Sequence, residues 1–321
     1  MTTQRFKLSA LTLALVAGVG AGIPAQAQES GGSELRLEEI VVTARRRSES
    51  LQDVPIAVTA ITGDQLSLKG ASDISELSQS VPSLTLEASR ATNSTLTAFI
   101  RGVGQQDPLA GFEQGVALYV DDVYMARPQG ALLDIYDVER IEVLRGPQGT
   151  LYGRNAVGGA VKYVTRRLSD EAEYRVKASV GEYSQADLVV TASIPVSDKL
   201  RVGGTVANLT RDGYGNNRTT GQDNYNKDVF GLRLSAEYDA SDDVLVRFSY
   251  DRTEDDSNPV AGYRPFAAAF SGLQPLDNVR DTSAGAAISA STAGINGNNS
   301  VESDGLHLSV DWNINDNLTF R

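Results

Sequence analysis

The chain has 321 residues, a formal net charge of −12, 41% hydrophobic and 22% charged residues. An acidic balance of this size argues against nucleic acid as a partner, and the absence of cysteine excludes disulfides and thiolate metal sites. His307 is the single histidine and lies near the end, which argues strongly against histidine metal clusters and Ser/His/Asp triads; no metal, cofactor or catalytic set is expected, and the chain does not read as an enzyme.

In chain order, Arg5 and Lys7, the apolar run 8–20 and Ala25-Gln26-Ala27 form a secretory signal over residues 1–27. No later stretch reads as a helical membrane span. An exported chain of this kind is either soluble outside the cytoplasm or crosses a membrane as a β-barrel. Residues 28–47 form a polar leader interrupted by one strand-prone word, Ile40-Val41-Val42, between Glu39 and Arg45-Arg46-Arg47. It reads as a word on a flexible tether with the arginines as a solvated hinge; the alternative is that it opens the following domain as its first strand.

Residues 48–167 read as a small α+β domain. Asp73 followed by Glu76 marks a helix start, with Ile74 and Leu77 on one face and Pro82 closing it. Strands are expected over 56–61, 84–88, 97–101, 116–120, 141–144 and 160–165. In GPQGTLYGRNAVGG (146–159), Gly153 and Gly158 have the interval of a phosphate loop. Gly159 and Ala160 stand where that loop needs a lysine and a hydroxyl, which leaves tight turns as the reading.

Over 168–321 apolar and polar residues alternate with a period of two, as strands with one wet and one apolar face require. One face carries Val176, Ala178 and Val180, then Ala186, Leu188, Val190, Ala192 and Ile194, then Leu200, Val202, Gly204 and Val206. It continues through Phe230, Leu232, Leu234, Ala236 and Tyr238, through Val244, Val246, Phe248 and Tyr250, and through Leu306, Leu308, Val310 and Trp312. The other face carries Arg201, Thr205, Arg233, Glu237, Arg247, Asp251 and His307. Short links at 181–185, 197–199 and 240–242 are interleaved with long polar ones at 211–227 and about 255–304, a rhythm of membrane barrels. An antiparallel sandwich with one wet face fits the alternation but does not require the rhythm.

FIRGVG (99–104), ALYVDDVYM (117–125) and above all VERIEVLRGPQGTLYGRNAVGGAVKYVTRR (138–167) closely resemble the plug domain of TonB-dependent outer-membrane receptors, in the iron-complex (siderophore) branch. LEEIVVTARR in the leader is similar to that family's TonB box. Lys162 departs from the pattern, in which asparagine is usual. The resemblance implies an α+β plug followed by antiparallel transmembrane β-barrel strands. It also implies a box at 38–44 (Glu38, Glu39, Ile40, Val41, Val42, Thr43 and Ala44) that adds as a strand to TonB, powered through ExbB and ExbD. Arg101 and Arg145 are expected to face wall carboxylates, with Glu139 and Glu142 as further plug–barrel contacts. Gln105, Gln106, Phe112, Tyr124, Arg127 and Gln129 are candidate ligand contacts.

The implied activity is energised uptake across the outer membrane of a Gram-negative bacterium, with the barrel in outer-membrane lipid. The expected substrate is an iron chelate, foremost a ferric siderophore, with haem, cobalamin or plant-derived carbohydrates and aromatics as alternatives. The short leader predicts no regulatory signalling domain. Six or seven strands cannot close a barrel that the family builds from about 22, so the chain is expected to be the N-terminal part of a longer protein. Were it to end at 321, a non-transporting plug-like binding module or a decayed gene would be the alternative.

Overall fold

Strand β9, Val138–Arg145, carries apolar residues on both faces among four charged ones, is buried along most of its length, and lies inside the first sheet with a neighbour on each side. β3 (Val58–Thr62) pairs with one side of it and β10 (Gly159–Thr165) with the other, both antiparallel. β7 (Val116–Val120) then joins β10 in parallel, and β8 (Val123–Tyr124) completes the order β3-β9-β10-β7-β8. The computed structural model describes residues 40–89, 92–109, 111–131, 133–134, 136–217, 220–259, 299–315 and 318–321. The signal segment, Glu38 and Glu39 lie outside them, as does most of the long link expected near 255–304.

Alternation along β9 sends its side chains into two cores. Ile141 and Val143 pack with Leu118, Val161, Ile100, Ile74 and Leu77. Leu144 lies in a second cluster with Ala117, Tyr119, Ala160, Val42, Ala44 and Tyr152. The first core is closed by a separate sheet of β4 (Leu84–Ala88), β5 (Leu96–Ile100) and β6 (Val103–Gln105). Gly159 sits at φ +149, and a Cβ there would lie 2.1 Å from the Leu144 carbonyl oxygen, so only glycine lets β10 start this close to β9.

β4 and β7 have their expected ends, while the other four expected strands shift or lengthen by up to three residues at an end. Asp73 caps a helical turn as expected, its carboxylate accepting from Ser75 N at 2.8 Å, but the turn is 3₁₀ over Ile74–Gln79. A further helix, Gly63–Leu68, went unnoticed in the sequence although Thr62 and Gln65 form a reciprocal capping box.

The second half is one antiparallel sheet. It runs in order through β11 (Glu173–Gly181), β12 (Gln185–Ser197), β13 (Leu200–Arg211), β16 (Lys227–Ser241), β17 (Val244–Asp255), β18 (Val301–Asn315) and β19 (Leu318–Phe320). The link between β13 and β16 carries a two-residue hairpin, β14 (Gly215–Asn216) with β15 (Asp223–Asn224). One face of this wall leaves large apolar residues uncovered: Tyr174, Val176, Ile194, Val206, Leu234, Phe248, Leu306 and Leu308 are all exposed. A sandwich would bury that face against a second sheet, so the exposed alternation is that of a barrel wall and not of a sandwich. Among the described residues no helix is long and apolar enough to cross a membrane.

Ile141 is fully buried at the centre of the first core. Ile141→Ala is expected to cost about 2–5 kcal/mol of plug stability, read as an earlier urea midpoint of plug unfolding with the wall's strand signal unchanged.

Candidate functional site

Cross-strand register brings Ala60, Glu142, Lys162, Tyr119 and Tyr124 into one row over the five strands of the first sheet. Glu142 and Lys162, at the middle of that row, are 0% and 1% exposed. Residues 40–44 lie over them. Thr43 N donates to Glu142 Oε1 at 2.8 Å, and Lys162 Nζ donates to Thr43 O at 3.1 Å and to Thr43 Oγ1 at 2.8 Å. Arg140 Nε donates to the same Glu142 oxygen at 2.8 Å, and Lys162 Nζ is 3.1 Å from Asp122. Two cations therefore face two carboxylates, which is what allows so much charge below the surface. Tyr152 adds a neutral hold, its hydroxyl donating to Ala44 O at 2.8 Å.

Burial, then the charge of Glu142, pushes the Tyr152 hydroxyl well above its usual range, so it stays a donor at any physiological pH. Burial also works against the Asp122 charge, but Lys162 and then Arg321 outweigh it and hold that carboxyl below its ordinary value.

This corrects two expectations. Within 40–44 the strand-prone word is not on a free tether: β1 (Val41–Val42) pairs with β2 (Glu49–Ser50), and Val42 and Ala44 are fully buried. Arg46 and Arg47 are exposed, as expected of a solvated hinge, but the run is tied down. Arg45 and Arg47 pair with Glu49, and Arg46 donates to Leu151 O at 2.9 Å with its guanidinium 5.1 Å from the Tyr152 ring centroid. Lys162, noticed in the sequence only as a departure from pattern, proves to be the residue that grips Thr43.

The contacts between plug and wall are also charged, but with other residues than expected. Arg233 on β16 is 6% exposed and meets plug residue Asp121 at 2.5 Å, plug residue Asp137 at 3.7 Å and the wall's own Asp251 at 2.7 Å. Lys227 pairs with Asp134, and Arg167 donates to both carboxylate oxygens of Glu237 at 2.8 and 2.9 Å. Tyr136 packs beside Val189, Ala207, Leu209 and Val229, against Gly231, where an added Cβ would come within 3.0 Å of its ring. Burial pushes the Tyr136 hydroxyl up to about 12.

Arg101 instead lies exposed at φ 54, and Arg145 is half-buried with its backbone N bonded to Ala57 O. Glu139 and Glu142 both pair with Arg140 inside the plug. Among the described residues none of the four makes a hydrogen bond or ion pair to the wall. Three of the ionic plug contacts come from Asp121 on the β7–β8 turn and from Asp134 and Asp137 ahead of β9, with the cation supplied by the wall; at Arg167 and Glu237 the signs are reversed. No motif marks these three aspartates; the nearest signal was the doubled acid in YVDDVY.

A family model for the TonB-dependent receptor plug domain matches residues 50–160. These residues are a TonB-dependent receptor plug domain. The chain is 31% identical over 216 residues to a pesticin receptor of Yersinia enterocolitica, covering 66% of this chain and 30% of that protein. It is 29% identical over 199 residues to a hemin receptor of the same species, covering 57% and 28%. The chain thus spans under a third of the length of the curated relatives it matches. Among solved structures it resembles the ferric yersiniabactin uptake receptor FyuA of Yersinia pestis, with a TM-score of 0.66 at 22% identity over 80% of this chain and 38% of the other. The ferric-catecholate import receptor Fiu of E. coli K12 gives 0.61 at 18% over 84% and 36%, and both likenesses are ones of fold. Plug and wall are therefore the plug domain and barrel strands of this receptor fold.

The receptor's six candidate ligand residues divide in two. Gln129 Nε2 donates to Pro108 O at 2.8 Å, which joins its loop to the 105–112 segment, where Gln105 accepts from Asp107 N and Gln106 and Phe112 are exposed. Arg127 is exposed near Gln129 in sequence. The same end of the plug is tied to the long link after β17, since Asn93 Nδ2 donates to Ser257 O at 3.0 Å. Tyr124 is not part of this group. It packs 5.5 Å from Tyr119 and accepts from Asn155, in the row that carries Lys162.

Removing the guanidinium with Arg233→Met would leave Asp121, Asp137 and Asp251 without their shared cation; about 3–5 kcal/mol of plug–wall stability is expected to be lost, seen as a lower melting temperature. Lys162→Met should free the 40–44 segment while the sheet stays folded. A nitroxide on Val41→Cys would then gain a mobile component in its electron paramagnetic resonance spectrum; an unchanged spectrum would show that Lys162 does not hold the segment.

Proposed function

We propose that this receptor imports a scarce nutrient across the outer membrane of a Gram-negative bacterium, driven by TonB with ExbB and ExbD, residues 48–167 acting as the plug. A ferric siderophore is the favoured substrate, and the named hemin receptors among the relatives favour haem as the second reading. Residues 38–44 are the TonB box on this reading. The observation that carries it is the docked 40–44 segment: a strand-prone word held by Lys162, Glu142 and Tyr152 through contacts that a pulling partner can break one at a time. Once free, its backbone can add to a sheet edge, where hydrogen bonds resist force. Arg101, Arg145, Glu139 and Glu142 keep a role as plug–barrel contacts only toward strands beyond the seven described here. Solute is taken first by the apical loops carrying Gln105, Gln106, Phe112, Arg127 and Gln129.

Two outcomes are expected in cells carrying the full-length receptor. Dissipating the proton gradient abolishes uptake of the ferric siderophore, and undiminished uptake would defeat the reading. Ile40→Pro abolishes uptake and leaves solute binding intact. The Ile40 carbonyl can still accept from Leu51 N, so the plug is spared, while proline removes a donor from the added strand.

A further inference from the structure

The Arg233 cluster holds more acid than it can neutralise. Three carboxylates share one buried guanidinium, and their contacts are unequal. Asp121 lies at 2.5 Å and also accepts from Thr165 N at 2.9 Å and Thr165 Oγ1 at 2.6 Å, so both its oxygens are engaged by donors. Asp251, the cross-strand partner of Arg233, lies at 2.7 Å. Asp137 is the outlying member, 3.7 Å from Nε and 7% exposed. Like charges brought this close out of water cannot all stay ionised, and the proton goes to the least stabilised carboxylate. We propose that Asp137 is a proton site that couples plug docking to pH: the docked plug holds a proton there, and displacing the plug from the wall releases it.

The surroundings of Asp137 support this from every side. On the wall, Arg233 and then the Thr205 hydroxyl favour its charged form, while His307 on β18 adds its field near Asp121 and Asp251. On the plug, Asp121 repels it, Arg166 attracts it, and buried Tyr136 and Tyr163 stay neutral. Burial is the largest influence and, with Asp121, raises the Asp137 carboxyl to about 6. Since a solvated aspartate titrates near 4, docking has its full strength below about pH 4. It weakens as pH rises through 6 and loses nothing further above about 7. The coupling holds whether or not 38–44 is the TonB box and whatever the solute.

These 321 residues contain no cysteine, so once any cysteine in the remainder of the full-length receptor is replaced by serine, one introduced thiol reports alone. Ala207 is fully buried where Tyr136 docks; in the full-length receptor, Ala207→Cys should react with a methanethiosulfonate only when the plug separates from the wall. Dividing its rate by that of the exposed Lys199→Cys removes the thiol's own pH dependence. Between pH 5 and pH 7.5 the ratio is expected to rise about tenfold, as one unit of a pKa near 6 dictates. Asp134 is the other seam carboxyl that burial raises to about 6, so both ratios are taken in an Asp134→Asn background, where Asp137→Asn should hold the ratio flat at its low-pH value. A flat ratio with Asp137 present, or a rise that persists in Asp137→Asn, would overturn the proposal. Should Asp137→Asn not assemble, the Asp137 carboxyl carbon shift in labelled receptor reads the same proton: a midpoint near 6 supports the coupling and one near 4 refutes it.

Discussion

A charge withdrawn from water must be met by an opposite charge, and the arrangement of this receptor follows from how that demand is satisfied twice. Beneath the leader, Lys162 and Arg140 balance Glu142 and Asp122. Between plug and wall, Arg233 and Lys227 balance aspartates of the plug. A purely apolar seam in either place would hold at least as well, because buried ion pairs are costly to assemble. What ion pairs add is directionality: each fixes one register of the moving part, and each comes apart once water reaches it.

The wall makes those contacts possible through the pleat of its strands. Thr191, Thr205, Arg233 and Asp251 share one row across β12, β13, β16 and β17 and face the plug, while Val190, Val206, Leu232 and Leu234 face away. A shift of one residue in register would send Arg233 to the apolar side and bring Leu232 or Leu234 against Asp121. Gly231 completes the fit, since the Tyr136 ring occupies the space that a side chain there would take.

The docked segment 40–44 links the two halves of the mechanism. Its seat is the face of the first sheet that carries Glu142 and Lys162, and the same sheet carries Asp121 and Asp122 on the turn between β7 and β8. Asp121 contacts the wall through Arg233, and Asp122 contacts Lys162 under the segment. Two adjacent residues thus stand at two interfaces, Asp122 under the 40–44 segment and Asp121 at the plug–wall seam.

Much of this was legible before any coordinates. Alternation over 168–321 named the apolar face, the glycine-rich run after β9 named its turns, and the match of 138–167 to a known plug pattern named the family. These are local properties, set by spacing that a strand or turn imposes on its own neighbours. The partners of the buried charges were not legible. Arg101 and Arg145 looked right because each precedes a glycine in a recognisable motif, yet Asp121, Asp134 and Asp137 are the residues that meet Arg233 and Lys227 of the wall, over sequence separations of 93 to 112 residues. Nor could the sequence separate Tyr124 from Gln129, five residues apart but in different parts of the plug. Sequence by itself determined which residues alternate, turn and carry charge; only the tertiary structure decided which charges meet, because pairing depends on distances between strands that no local pattern encodes.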